Sequence, residues 1–162
     1  MKALVVYYSL EGNTALIADT IRETLMIPAM RIQPVKELSS TGFRKYVWGG
    51  SQVIMGFKPK LEPIAVDFQE FDVIFLGSPI WAGTFAPPIK TLLEEGYFTN
   101  KKVYYFYTHE GGSLGAPRRA KASISKHNRF ITSKGFIFVL KNKQKNRKKA
   151  QEWALECAQQ VR

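Results

Sequence analysis

KALVVYYSLEGNT, residues 2–14, joins an almost continuously apolar run to a short polar turn. A run of this kind is typical of a strand in a parallel sheet that is covered on both faces. Residues 13–26 then place apolar side chains at helical spacing, namely Ala15, Ile17, Ala18, Ile21 and Leu25. The stretch therefore predicts a strand, a loop at the carboxyl end of that strand, and a helix.

The same alternation of strands and helices continues along the chain. Further strands are predicted around residues 30–33 and 71–78 and within 101–112 and 130–140, and helices at 87–95, from 117 and at the C-terminal end. Thr41 is expected to begin a weaker helix that carries Phe43, Tyr46 and Val47. Without internal repeats or a Pro-, Gly- and Ser-rich linker, this pattern predicts one α/β domain over residues 1–162, an open sandwich with a parallel sheet.

Composition excludes several other classes of protein. The chain has 162 residues, 45% of them apolar, which suffices for a substantial core. No apolar stretch approaches the roughly 20 residues of a membrane span, and the first residues read directly into a strand without a signal peptide, so we expect a cytoplasmic protein. Cys157 is the one cysteine, which excludes a disulfide within the chain, and its place on an apolar helix stripe predicts an inert core thiol.

Three loops follow the predicted strands, and ligands of open parallel sheets bind at such loops. The first contains Ser9, Leu10, Glu11, Gly12, Asn13 and Thr14. It has neither the Gly-Lys-Ser/Thr ending of a nucleoside-triphosphate loop nor the glycine pattern of a dinucleotide loop. Hydroxyl groups, Asn13 and backbone N–H groups at the helix start would suit a phosphate here. An ordinary turn into a capped helix explains the same residues.

The second and third loops carry an exposed aromatic ring and two glycines. The second contains Ser78, Pro79, Ile80, Trp81, Ala82 and Gly83, and its Trp81 suits stacking on a planar ligand, although a tryptophan is more often a core residue. The third contains Thr108, His109, Glu110, Gly111, Gly112 and Gly115. Gly111 and Gly112 are expected to adopt unusual dihedral angles that turn backbone amides toward a heterocycle, unless they form a glycine turn without a ligand.

Through YYSLEGNT, SPIWAG and THEGG, the chain resembles the flavodoxin-like family of FMN-binding proteins over nearly its whole length. The resemblance implies a five-stranded parallel sheet in the order 2-1-3-4-5 with FMN at the switch point between strands 1 and 3. It also implies electron transfer or flavin-dependent reduction of a small molecule, with no catalytic acid or base identified. One departure is Glu11, which stands where the family usually has Ser or Thr and is expected to weaken FMN binding.

Two questions of function stay open at this stage. As a flavoprotein, the chain is expected to be an electron carrier or an NAD(P)H-linked oxidoreductase. In the second case Arg118 and Arg119 would suit the phosphate of a pyridine nucleotide, although exposed arginines at a helix start are common. Alternatively it is a flavodoxin-fold binding module without productive use of FMN, whose basic C-terminal part docks an acidic partner.

Charge is concentrated near the C-terminal end, in KNKQKNRKK, residues 141–149, of a chain with net charge +11. This run suits an acidic protein, a nucleic acid or an anionic membrane surface, or is simply a solvated helix start. It lacks the interleaved aromatic residues of a nucleic-acid groove, which disfavours that partner.

Overall fold

A computed structural model describes residues 2–37 and 56–161. The helix expected from Thr41 lies outside these residues. The strands are β1 (Ala3–Tyr7), β2 (Ala29–Arg31), β3 (Val73–Trp81), β4 (Thr84–Phe85), β5 (Lys102–His109) and β6 (Arg129–Ile137). The helices are α1 (Asn13–Leu25), α2 (Pro87–Glu94), α3 (Ala116–Ile124) and α4 (Lys143–Val161), and a 3₁₀ turn spans Phe68–Glu70.

Five parallel strands form the sheet in the order β2-β1-β3-β5-β6. Counted without the two-residue β4, this is the order 2-1-3-4-5 that the resemblance implied, so the predicted fold class is confirmed. β1 and β3 run side by side from Ala3 opposite Val73 to Tyr7 opposite Gly77. The order of the strands changes direction at this point, because β2 lies on the outer side of β1 whereas β5 and β6 lie on the outer side of β3. Ligands of open α/β sheets bind at such a switch point.

Strand β3 is longer than the sequence predicts, because Pro79, Ile80 and Trp81 continue it instead of forming a loop. Pro79 lacks an N–H group, yet it still pairs with Thr108 at the end of the β3–β5 ladder. Trp81 pairs with Thr84 of β4 in an antiparallel hairpin. The two residues between them have positive φ, 46° for Ala82 and 76° for Gly83, as a type I′ hairpin turn requires.

Two hydrophobic cores fill the space between the sheet and its helices. Alternate residues of β1 point to opposite faces, so that Val5 packs in one core and Leu4 and Val6 in the other. The first core contains α1 and α4, and the second contains α2 and α3. The sheet is therefore covered on both faces, as its apolar strands predicted. None of the helices in the described ranges combines the length and the apolar character that crossing a bilayer needs.

Cys157 lies on the buried face of α4, in the same core as Trp153 and Ala154, as the apolar stripe of this helix predicts. Burial raises the pKa of the Cys157 thiol to about 12, with a smaller contribution from Glu156. Since the thiolate is the reactive form of cysteine, this side chain is an inert part of the core.

Gly77 of β3 lies directly against the aromatic ring of Phe106 on the neighbouring strand β5. It pairs with Phe106 across the β3–β5 ladder, and a Cβ atom at residue 77 would lie 2.2 Å from Cζ of the Phe106 ring. Real carbon atoms do not approach so closely, so any side chain here would force the ring or the strand to move. The position is therefore reserved for glycine by packing.

We expect Gly77→Ala to lower the free energy of unfolding by about 1–3 kcal/mol, because the added methyl group overpacks the core against Phe106. Urea denaturation measures this value. Gly111→Ala is the matched control, since a Cβ there meets no atom within 4 Å and its φ is not positive. An equal loss of stability in both variants would contradict the packing explanation.

Candidate functional site

A cleft opens at the carboxyl ends of β1, β3 and β5. Eleven residues line it, and all belong to the three predicted loops: Ser9, Leu10, Glu11, Asn13, Thr14, Pro79, Ile80, Trp81, Thr108, His109 and Glu110. The parallel pairing of the three strands brings their ends to one edge of the sheet. Residues separated by about a hundred positions in sequence thereby form one site.

The hydroxyl group of Ser9 is committed as an acceptor on both of its lone pairs. It accepts hydrogen bonds from the backbone N–H groups of Gly12 and Ala15, each at 3.2 Å. A serine hydroxyl has two acceptor positions and one donor hydrogen. No acceptor for that hydrogen is found in the described part of the chain, and Ser9 is buried against the cleft. The hydroxyl hydrogen of Ser9 is therefore its one remaining hydrogen-bonding group, and it can be donated to a ligand in the cleft.

Helix α1 begins in the same loop, with Gly12 as its N-cap in the left-handed conformation at φ 98°. The N–H groups of Asn13 and Thr14 are the first two of the helix, and neither has a hydrogen-bond partner among residues 2–37 and 56–161. Oδ1 of Asn13 instead accepts from the N–H of Leu140 at 3.2 Å, which ties this helix start to the segment after β6. The Asn13 side-chain oxygen thus serves the link to Leu140, and the two backbone N–H groups remain as donors at the helix start beside the cleft.

A buried pair of hydroxyl groups links the first loop to the third. Oγ1 of Thr14 and Oγ1 of Thr108 are 2.8 Å apart, and both side chains are buried. One hydroxyl donates to the other, so the second keeps its hydrogen for another acceptor. The pair fixes the start of α1 against the end of β5.

Trp81 is held at the mouth of the cleft by an aromatic neighbour and a short hairpin. Its ring meets that of Tyr8 edge to face, with centroids 5.6 Å apart and an angle of 85° between the planes. Tyr8 is buried and donates to Oε1 of Glu37 at 2.7 Å. Burial raises the pKa of the Tyr8 phenol, and the hydrogen bond to Glu37 raises it further, so the tyrosine stays a neutral donor. Trp81 itself remains half-buried, as a stacking surface would be.

The third loop differs from the prediction in its backbone. Gly111 and Gly112 are exposed and neither has a positive φ, so the expected unusual dihedral angles are wrong for these two glycines. Positive φ occurs instead at Leu114 (44°) and Gly115 (79°), where the chain turns into α3. A hydrogen bond joins Nδ1 of His109 to the carbonyl oxygen of Gly111 and closes the loop behind β5.

The remaining predicted residues lie next to the cleft without lining it. Oγ of Ser78 accepts from the N–H of Ala86 at 2.9 Å and donates to the carbonyl of Pro79, which anchors the hairpin below the cleft. Gly12 and Gly115 cap α1 and α3, and Ala82 and Gly83 form the hairpin turn. Gly111 and Gly112 follow Glu110 on the outside of the third loop.

Arg31 and Arg119 form contacts with the loops that the sequence did not predict. Arg31, at the end of β2, donates from Nη2 to the carbonyl oxygen of Ser9, so a cation stands beside a first loop that has none of its own. Its signal was the strand order, since β2 pairs with β1 and ends beside the same loop. Arg119 donates to the carbonyl groups of Gly83 and Leu114 and joins the second loop to the third. Arg118 is exposed on α3.

A family model described as "Flavodoxin" matches residues 2–155 of the chain. The flavodoxin-like domain-containing protein BilS of Clostridioides difficile (strain CD3) is 30% identical over 138 residues. The match includes 82% of this chain and 64% of that protein, so the chain spans less than two thirds of the curated relative's length.

Solved structures show the same architecture. A flavoprotein from Lactobacillus acidophilus NCFM, crystallised in complex with FMN, superposes with a TM-score of 0.71 at 25% identity, over 83% of this chain and 92% of that one. A structure from Bacteroides uniformis ATCC 8492 gives a TM-score of 0.79 at 24% identity over 94% of this chain and 96% of that one. An archaeal flavodoxin covers 99% of both chains with a TM-score of 0.62 at 15% identity. The last two matches show the fold alone.

We expect Thr108→Val to destabilise the protein by about 1–2 kcal/mol, because it leaves the buried Thr14 hydroxyl without its partner. The double variant Thr14→Val/Thr108→Val should cost no more than the single one, since it removes both polar groups together. Urea denaturation of the two single variants and the double variant completes a thermodynamic cycle. Strictly additive losses would show that the two hydroxyl groups do not interact.

Proposed function

Because the chain belongs to the flavodoxin family, we propose that it binds FMN in the cleft at the carboxyl ends of β1, β3 and β5 and uses it in redox chemistry. The family model spans residues 2–155, in agreement with the resemblance drawn from the three loops. A structural neighbour at 25% identity is a flavoprotein solved with FMN, which supports the same cofactor here.

The donors of the first loop carry the proposal. The Ser9 hydroxyl has only its hydrogen left to offer, and the N–H groups of Asn13 and Thr14 have no partner in the described ranges. Three donors at the start of one helix, where the partial charge is positive, match a phosphate group. A capped turn without a ligand would leave these donors unused. The FMN phosphate is the acceptor that we assign to them.

The other two loops suit the isoalloxazine ring. Trp81 offers a half-exposed aromatic face whose orientation is fixed by Tyr8. The hairpin that holds it carries Ala82 at a positive φ, a conformation that costs about 1 kcal/mol for a residue with a side chain. His109 and Glu110 line the cleft as well, and we assign the backbone of this third loop to the polar edge of the ring.

FMN supplies electron or hydride transfer when it is bound, and the chain supplies its position and surroundings. We propose that the protein serves electron transfer or the reduction of a small molecule. In either case Trp81 covers one face of the ring and keeps water from it, while the first loop holds the charged end in place. With Arg119 committed to two carbonyl groups, Arg118 is the one of the two predicted arginines that is left for the phosphate of a pyridine nucleotide.

We expect the purified protein to bind FMN with strong quenching of flavin fluorescence, because Trp81 stacks on the ring. Trp81→Leu should weaken binding about tenfold, which corresponds to the loss of roughly 1.4 kcal/mol of aromatic contact. Fluorescence titration with FMN measures both effects.

Circular dichroism of Trp81→Leu serves as the folding control in that titration. A protein that stays colourless and leaves FMN fluorescence unchanged at millimolar concentration would reject FMN binding. The alternative, a flavodoxin-fold module without productive use of the cofactor, would then stand.

Two charges beside the first loop should act on FMN in opposite directions. Glu11 is exposed at the cleft, so Glu11→Thr removes a negative charge from the phosphate site and restores a hydroxyl group, and we expect binding about tenfold tighter. Arg31→Gln removes the nearby cation and should weaken binding by about three- to tenfold. Fluorescence titration of each variant measures the dissociation constants.

Riboflavin, which has the same ring without the phosphate, is the matched control ligand for both variants. Its affinity should stay within about twofold, since only the phosphate interacts with these charges. Equal changes for riboflavin and FMN would mean that the substitutions alter the loop itself and not the electrostatics of the phosphate.

A further inference from the structure

The segment after β6 leads from the cleft directly into the most basic part of the molecule. Ile137, the last residue of β6, pairs with His109, and the next N–H group, that of Phe138, donates to the His109 carbonyl at 3.0 Å. The N–H of Leu140 then bonds to Asn13 at the start of α1. Helix α4 begins three residues later, at Lys143. The basic segment, residues 141–149, therefore starts beside the first and third loops.

Contacts within the fold account for little of this concentration of charge, since Lys141 alone of these cations lies over an aromatic ring in the described residues, 4.9 Å from the centroid of Phe138. Six cations occupy the basic segment, namely Lys141, Lys143, Lys145, Arg147, Lys148 and Lys149, and all are exposed. None forms an ion pair within the described parts of the chain. Cations are unfavourable at the N-terminus of a helix, and like charges four positions apart repel each other. The arrangement therefore costs stability, which is a reason to look for an interaction outside the chain.

Charge of one sign extends over the neighbouring elements as well. Residues 111–151 contain twelve Lys and Arg residues and no Asp or Glu. This range covers α3, β6 and the first half of α4. A field of this kind attracts a partner of opposite charge and orients it as it approaches.

Exposed apolar side chains form a rim around the cleft at the same end of the sheet. The apolar rim consists of Leu114, Ile137 and Leu140, which are 75%, 44% and 38% exposed. Leu114 lies against the hairpin turn at Gly83, Ile137 beside His109, and Leu140 over Gly12. Each of these side chains therefore lies beside one of the three loops that line the cleft. Aliphatic side chains at the centre with charges at the periphery are typical of protein–protein interfaces.

We infer that the apolar rim and the basic segment together dock an acidic protein over the mouth of the cleft. Nucleic acid fits less well, because single strands stack on aromatic faces and the rim is aliphatic. The docking rests on side chains alone and does not need FMN. That the partner exchanges electrons with the cleft rests on the proposed function.

The test uses two redox proteins of opposite charge as probes, an acidic plant-type [2Fe–2S] ferredoxin and a basic cytochrome c. Isothermal titration calorimetry with the full chain, with and without added FMN, should detect a complex with ferredoxin that weakens about tenfold when salt is raised from low to physiological concentration. Cytochrome c should not bind. The absorbance spectrum reports FMN loading separately, so that failure to bind FMN leaves the docking result readable.

Paired charge reversals locate the surface. Lys143→Glu/Lys145→Glu should weaken the ferredoxin complex at least tenfold, and acidic residues at a helix N-terminus favour the fold. Lys126→Glu/Arg129→Glu makes the same change in net charge at the opposite end of the sheet, on exposed residues, and should change the affinity less than about twofold. Leu114→Asn, which keeps the charge and tolerates a positive φ, should weaken binding without changing its dependence on salt.

Several results would overturn the inference. They are the absence of a salt-sensitive ferredoxin complex, equal or tighter binding of cytochrome c, and equal losses in the two charge-reversed pairs. Binding of a single-stranded oligo(dT) or of phosphatidylserine vesicles as tightly as ferredoxin, and lost in Lys143→Glu/Lys145→Glu, would assign the surface to nucleic acid or to a membrane instead.

Discussion

Parallel pairing of β1, β3 and β5 is the constraint on which the cleft depends. Tyr7, Gly77 and Phe106 lie side by side across the three strands, and each strand ends or changes partner within a few residues of that line. Any slip in register would move the loops apart and would also place a side chain where only Gly77 fits against the Phe106 ring. The close fit of the Phe106 ring over Gly77 thus also helps to fix the relative height of the three loops. Stability and the geometry of the site are determined by the same contacts.

The loops divide their polar groups between holding themselves together and facing the cleft. The Ser9 hydroxyl oxygen accepts two hydrogen bonds within the turn, and the hydroxyl groups of Thr14 and Thr108 bond to each other. The side-chain oxygen of Asn13 accepts from the N–H of Leu140. Acceptors are used internally, whereas donors remain: the Ser9 hydrogen and the first N–H groups of α1. A site built in this way would suit an anion without a lysine or arginine inside it, as we propose for the FMN phosphate. The affinity for that phosphate would then depend on the charges just outside the site, those of Glu11 and Arg31.

Much of this arrangement could be predicted from the sequence, because apolar runs and helical spacing report directly on which faces are buried. The strand order was implied by the resemblance to the family. The three predicted loops contain all eleven residues that line the cleft. The end of β3 was not predictable, since Pro79 is a reason to end a strand and only the pairing with Thr108 shows that it continues. Arg31 was missed for a similar reason: a contact between the end of β2 and Ser9 exists only after the sheet has formed.

The uneven distribution of charge along the chain is a feature that the fold does not explain. The first hundred residues are nearly balanced, with 9 Lys and Arg against 10 Asp and Glu, whereas the rest hold 15 against 3. Both parts supply strands to one sheet, so the imbalance is not a requirement of the architecture. Nor does it serve the helix in which it is densest, because α4 begins with cations at the end where the helix dipole opposes them. The densest part of the excess, residues 141–149, begins where β6 leaves His109 and α4 departs from Asn13, so it lies on one side of the cleft. A partner attracted by this field would approach the cleft from the side of α4 and contact Leu140 and Ile137 before it reached Trp81.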